Sequence, residues 1–208
     1  MRMWAETVPL TGALGERYLI ERRGLNVKPL DLEHVLRWHV RHNCMVALMT
    51  DAVTGKPTGI HRTYLDYAGA ERERRMLDRK GCIRLSHDDE VTLGLGVTEG
   101  IEDGLAVLLT GWSPVWAAAD AGAMARFPVL GGIECLTIFG DADAAGGRAA
   151  NTCALRWRGA RRSVEVLLAD GGSRLRTLLT PTSQERTSAV RLTALGGRTE
   201  SRGSSARR

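Results

Sequence analysis

Aromatic residues are scarce: two Phe, three Tyr and five Trp in 208 residues. Cysteine is scarcer than a stapled or metal-knuckle fold needs. The four, at 44, 82, 135 and 153, form no C-x-x-C pair, and their spacing matches no common zinc module. They read as reduced thiols, with Cys135 in an apolar run and Cys153 on a helical segment taken as small core residues. No run of 18 apolar residues occurs, which excludes a helical membrane span. The opening MRMWAETVPLTG lacks the apolar stretch of a signal peptide, so a cytoplasmic location is expected. No GxxxxGK[ST] loop is present, which removes support for an ATP-driven motor. One further absence is local. Residues 85–125 carry seven acids and no Arg or Lys.

What is present suits a folded domain, with 43% hydrophobic and 25% charged residues. The net charge of +5 is unevenly distributed. Residues 171–208 hold eight Arg and two Glu, whereas residues 1–170 hold 21 basic and 22 acidic residues. A neutral body thus carries a basic extension, rich in Arg, Ser, Thr and Gly, that reads as disordered. Residues 61–84 hold seven Arg or Lys against four acids, immediately before the anionic stretch. Cation followed by anion in this way suits phosphate binding beside metal binding. His34, His39 and His42 cluster in sequence with no second ligand group nearby, and packing or surface roles are expected for them.

Along the chain, DLEHVLRWHV (31–40) has helical spacing in Leu32, Val35, Leu36 and Val40, with Asp31 as a cap. MVALMT (45–50) and IHRTYLDY (60–67) flank a Gly/Pro turn and predict a hairpin. The basic ERERRMLDRKG that follows has no clear period. After residue 90 the pattern changes. Strand-like runs at VTLGLGVT, SPVWAAAD, GIECLTIFG and SVEVLLAD alternate with helical IEDGLAVLLTG, AGAMARFPVL and AAGGRAANTCALRWRG. This β-α-β-α-β-α-β order requires a mainly parallel sheet with helices on its faces. Function in such sheets sits at the carboxyl ends of the strands. Those ends carry Glu99 after the first strand and Asp141 and Asp143 after the third, with Asp103 one helical turn beyond Glu99. Four carboxylates on one rim resist joint ionisation, and a hard divalent cation relieves the conflict.

Thr-Glu-Gly-Ile-Glu-Asp-Gly-Leu-Ala (98–106) with Phe-Gly-Asp-Ala-Asp-Ala-Ala-Gly (139–146) resembles the Toprim domain, shared by primases, topoisomerases, nucleases and recombination proteins. The wider chain resembles the Toprim-containing DNA primases of phages and plasmids. The resemblance implies an α/β Toprim (Rossmann-like) domain over 91–170, preceded over 1–90 by a small α+β segment with a β-hairpin, and followed by the basic extension at 171–208. It implies Glu99, Asp141 and Asp143 as catalytic residues. With Asp103, these become ligands for Mg²⁺ or Mn²⁺, and Gly146 matches the glycine after D-x-D. Arg62, Arg74, Arg75 and Lys80 fall where such primases hold nucleotide and template phosphates, and Arg62, Arg75 and Lys80 are the expected phosphate binders. The implied activity is DNA-templated synthesis of short RNA primers from nucleoside triphosphates in DNA replication. The implied partners are a single-stranded DNA template and a replicative helicase, with no membrane. A Toprim nuclease and a non-catalytic nucleic-acid-binding replication protein stay open as alternatives. The family's zinc module and helicase portion have no counterpart in these 208 residues, and no Asn-Asp segment follows the fourth strand. Trp112 and Trp116 are expected in the core rather than stacked on bases.

Overall fold

A computed structural model describes residues 1–78, 81–141 and 143–168, with the backbone of Thr193–Ala194. The first half is built on one antiparallel sheet, in the order β1 (Val8–Pro9), β2 (Leu36–His39), β3 (Cys44–Thr50), β4 (Pro57–Leu65), β5 (Glu71–Asp78). The short helices α1 (Arg2–Ala5) and α2 (Leu14–Arg17) accompany it, and α2 runs into a π-turn at Tyr18–Arg22. The hairpin expected from the Gly/Pro turn is β3–β4, with Ala47 opposite His61. Side chains alternate across the pleat, so the two faces differ. Met45, Ala47, Met49 and Leu65 point to the main core, whereas Cys44, Val46 and Ile60 are covered by Met3 and Trp4 around α1.

The helix expected over 31–40 is not there. Its first half is turn and its second half is β2, paired antiparallel with β3 from Leu36 opposite Ala47 to His39 opposite Cys44. A lone ten-residue helix is marginal, while a strand beside β3 gains a hydrogen-bonded ladder and a buried face. Val40, which helical spacing would bury, is 63% exposed. The unassigned basic run 71–78 becomes β5, paired along β4 from Gly59–Asp78 to Leu65–Glu71.

The second half forms a mixed, mostly parallel sheet. Its elements are β6 (Ile83–Arg84), β7 (Gly94–Thr98), α3 (Ile101–Leu109), β8 (Val115–Ala117), α4 (Ala121–Ala125), β9 (Cys135–Gly140), α5 (Ala144–Gly159), β10 (Ser163–Leu168) and β11 (Thr193–Ala194). The strand order is β11-β10-β9-β7-β8-β6. The central four are parallel and the two edge strands antiparallel. The rest of 171–208 lies outside the described residues, as does Lys80. No helix among the described residues is long and apolar enough to cross a membrane.

Helices α4 and α5 cover one face of this sheet: Met124, Ala150, Cys153 and Trp157 pack on Leu95, Val97, Leu136 and Ile138. Helix α3 covers the other face and is itself covered by the antiparallel sheet. Its Val107 meets Val115 and Phe139, while Ile101, Leu105 and Ala106 join Met45, Ala47 and Met49. Each large aliphatic buried in this way contributes about 1.5–3 kcal/mol. The two halves therefore share one core, and α3 is the layer between them. Gly104 permits its close approach, because a Cβ there would stand 2.3 Å from Leu85 Cδ1. Trp116 is buried and Trp112 packs edge-on to Phe139 at 5.0 Å, so both serve the core. Cys153 is buried, but Cys135 is exposed. Strand β9 commits Leu136 and Ile138 to the helix-covered face, and Cys135, at the strand's start, is left outside it.

Candidate active site

The parallel register places the acids. Thr98, the last residue of β7, lies beside Phe139 of β9, so the chain leaves two adjacent strands at Glu99 and Asp141. Asp103 enters from the first turn of α3, and Asp143 stands at the N-cap of α5. A polar pocket is lined by Glu99, Gly100, Glu102, Asp103, Asp141, Asp143, Ala119 and Arg74. All four carboxylates singled out from sequence thus line one pocket. Gly146 lets α5 begin against the strand end, since a Cβ there would stand 2.8 Å from the Asp141 carbonyl oxygen.

Asp143 has a structural role as well. Its Oδ1 accepts from the backbone N–H of Ala145 at 2.9 Å and of Gly146 at 2.7 Å. A cap of this kind is worth about 1 kcal/mol. The Glu99 carboxyl is held above its ordinary pKa, by burial first and then by Asp141, Asp143, Asp103 and Asp120. That is the electrostatic mark of a site short of positive charge, and the all-oxygen donor set fits Mg²⁺ or Mn²⁺ rather than a softer ion.

A pH dependence follows. A raised carboxyl favours the folded state below its unfolded pKa and loses that contribution as pH rises through the folded value. In EDTA, Glu99 should therefore cost stability near neutrality. Added Mg²⁺ should raise the melting temperature at about pH 7 and much less at about pH 5, where protons compete for the same carboxylate. Equal Mg²⁺ shifts at both pH values would contradict this assignment.

The basic residues divide by strand parity. Arg74 stands opposite Thr63, whose face of the sheet is buried against α3. It reaches the pocket and chelates two carboxylates. Its Nε lies 2.8 Å from Glu71 Oε1 and its Nη1 3.1 Å from Glu102 Oε2, and Nη2 also bonds both carboxylates. Arg62 and Arg75 stand opposite each other on the other face of the sheet, where Arg62 donates to the Tyr64 hydroxyl and Arg75 pairs with Glu73. These two expected phosphate binders are therefore not among the residues that line the acidic pocket: one residue beyond Arg74, the side chain points the opposite way.

Sequence reading missed the group that holds Arg74. Glu102, its side chain 5% exposed, sits among Arg74, Arg23 and Tyr18. Arg23 also pairs with Glu71, and the Tyr18 hydroxyl lies 2.6 Å from Glu71 Oε2. Two arginines and two glutamates balance, which limits the cost of burying them. Burial raises the Glu71 pKa, but hydrogen bonds from Arg74 and Tyr18 outweigh it and hold the group at about 2. Burial, followed by the Glu102 charge, pushes the Tyr18 pKa up, so the hydroxyl stays a donor. Buried His61, on the Arg74 face of β4, is driven down to about 4 by burial and then by Arg74. It is neutral at physiological pH. The sequence signal for Glu102 was its place between Glu99 and Asp103, on the same helical turn.

Residues 94–180 match the Toprim domain family, and residues 1–87 match a domain of unknown function (DUF7146). No curated protein matches in sequence. Among solved structures, a DnaG primase catalytic domain bound to ssDNA superposes with a TM-score of 0.50 at 15% identity, covering 86% of this chain and 73% of that one. The E. coli primase catalytic core gives 0.48 at 16% identity, over 66% of this chain and 48% of that one. The RNA polymerase domain of Mycobacterium tuberculosis primase DnaG, in complex with double-stranded DNA, gives 0.48 at 15%, over 85% and 72%. The chain spans about half the length of the E. coli core and of a Pseudomonas aeruginosa primase domain, at 48% and 53%.

Proposed function

We propose that this chain, whose residues 94–180 match the Toprim domain family and whose fold is similar to that of a DnaG primase catalytic domain, synthesises short RNA primers on single-stranded DNA by metal-dependent nucleotidyl transfer. One observation carries this reading. The acidic pocket at the ends of β7 and β9 is lined on one side by Arg74 from the antiparallel sheet, so places for a cation and for a phosphate adjoin.

Glu99, Asp103, Asp141 and Asp143 would hold the metal. When bound, Mg²⁺ or Mn²⁺ supplies Lewis-acid charge that acidifies the primer 3′ hydroxyl and neutralises the departing pyrophosphate. Around it, the chain's own groups position and move protons. Arg74, held in place by Glu71 and Glu102, lines the pocket as a fixed positive charge and keeps one Nη1 N–H able to donate to a phosphate oxygen. Glu99, leaving the end of β7 into the pocket, either completes the ligand set or takes the proton leaving the attacking hydroxyl. The Asp143 cap fixes the start of α5 relative to β9, which keeps the ligands in register as the substrate turns over. Arg62 and Arg75, on the outer face, are assigned to template phosphates rather than to the reacting triphosphate.

The test is incubation of the chain with single-stranded DNA, labelled nucleoside triphosphates and Mg²⁺. Labelled oligoribonucleotides that depend on template and vanish with EDTA are expected. Cleavage of the DNA without nucleotide incorporation would replace the reading with a Toprim nuclease. DNA binding that survives EDTA, with neither reaction, would replace it with an accessory binding protein.

A further inference from the structure

Away from the acidic pocket, a second group of ligating side chains comes together from distant parts of the chain. Asp31, His34 and His87 each offer one ligand atom, and these atoms all lie within 4.8 Å of one another. Asp31 and His34 belong to the turn before β2. His87 lies between β6 and the short 3-10 turn at Asp88–Glu90. The His34 and His87 rings stack with centroids 3.8 Å apart, and His87 Nε2 is 3.3 Å from Asp31 Oδ2. An open cavity lined by His34, Arg84, His87 and Asp89 adjoins them.

The His34 ring is prepared as a ligand would be. Its Nε2 lies 3.0 Å from the Arg84 carbonyl oxygen. A carbonyl only accepts, so Nε2 carries the hydrogen and Nδ1 keeps a lone pair. Nδ1 is shielded from solvent and has no hydrogen-bond partner among the described residues. Donation of one ring N–H to a backbone carbonyl, with the other nitrogen left bare, is the usual outer-shell arrangement of a metal-bound histidine. The other acids nearby are occupied: Asp88 pairs with Arg84, and Glu90 accepts from the Ser113 hydroxyl and the His87 backbone N–H.

We propose that Asp31, His34 and His87 form a second metal site, for a Zn²⁺-type ion, that ties the segment before β2 to the strand-linking loop after β6. Two imidazoles and one carboxylate suit borderline ions such as Zn²⁺, whereas the acidic pocket offers only oxygen. Zinc–ligand bonds of about 2.0–2.2 Å require the three atoms to draw closer. The Asp31 and His87 side chains, 75% and 42% exposed, have the freedom to do so. Three protein ligands leave a position for water.

The experiment is equilibrium dialysis of the full chain against Zn²⁺ in excess Mg²⁺, with Co²⁺ absorption to report ligand type. Retention of Zn²⁺ is expected, with a Co²⁺ spectrum free of thiolate charge transfer. Asp31→Asn and His87→Ala should each weaken binding at least as much as loss of an outer-shell partner does, roughly 10–100-fold. Cys135→Ser and Asp141→Asn should leave it unchanged. Both ligand variants change exposed side chains, and circular dichroism verifies their folding. Zn²⁺ affinity equal to wild type in folded Asp31→Asn would overturn the site, as would its loss in Cys135→Ser or a failure of the wild type to retain Zn²⁺.

Discussion

Asp141→Asn with Asp143→Asn lowers Mg²⁺-dependent nucleotidyl transfer by about a thousandfold or more and leaves the protein folded. The magnitude follows from losing ion-mediated stabilisation of the transition state, which is worth several kcal/mol at about 1.4 kcal/mol per tenfold. Asparagine is the right replacement at 143. It caps a helix as well as aspartate does, so the bonds to Ala145 and Gly146 survive while the charge is lost. Removing two of the charges that raise the Glu99 pKa should also relieve repulsion, so the melting temperature in EDTA stays level or rises. Asp143→Ala, by contrast, should lose about 1 kcal/mol of stability along with activity. Thermal melts with and without Mg²⁺, alongside primer synthesis, separate these outcomes. A folded double variant with full activity would remove the acids from the chemistry. An unfolded one would show that they hold the strand ends in place.

Arg74→Met destabilises the protein by about 3 kcal/mol, at the lower end of the range for breaking a buried ion pair. At this chain length that corresponds to a melting temperature lower by roughly 6–12 °C. Methionine keeps much of the volume but strands Glu102, whose remaining cation is Arg23 at 3.7 Å. Glu102→Leu alone should cost less, because Glu71 still accepts from Arg74 Nε and Nη2. The double replacement should recover most of the loss, because Arg23 and Glu71 remain paired with each other and the layer stays neutral. Denaturant titration of the four proteins measures the coupling. Additive losses in the double variant would mean that Arg74 and Glu102 act separately, and that the link between β5 and α3 lies elsewhere.

The divided placement of the arginines shows how far residue order reaches. Arg74 and Arg75 are adjacent and chemically alike, yet only Arg74 lines the pocket. Their assignment depends on which face of β5 is covered, and 71–78 has too few apolar residues to announce that face. The helix expected over 31–40 failed for a related reason. Leu32, Val35 and Leu36 suit a helical stripe, but Leu36 and Trp38 equally suit one face of a strand, and the neighbour β3 decided between them.

The second half was legible because each of its signals is local. Apolar runs alternate with glycine-punctuated helical segments, so strand and helix identity through 94–168, the parallel sheet and the strand-end position of Glu99, Asp141 and Asp143 all follow from neighbours along the chain. What tertiary structure alone decided are meetings between distant segments. Helix α3 became a buried layer between two sheets. Tyr18, Arg23, Glu71 and Arg74 closed around Glu102, and His87 came to rest on His34. Charged side chains carry no hydrophobic period, and a lone histidine carries no spacing. Their partners are therefore chosen only when packing brings the backbone segments together and each desolvated group must find a counter-charge or a ligand.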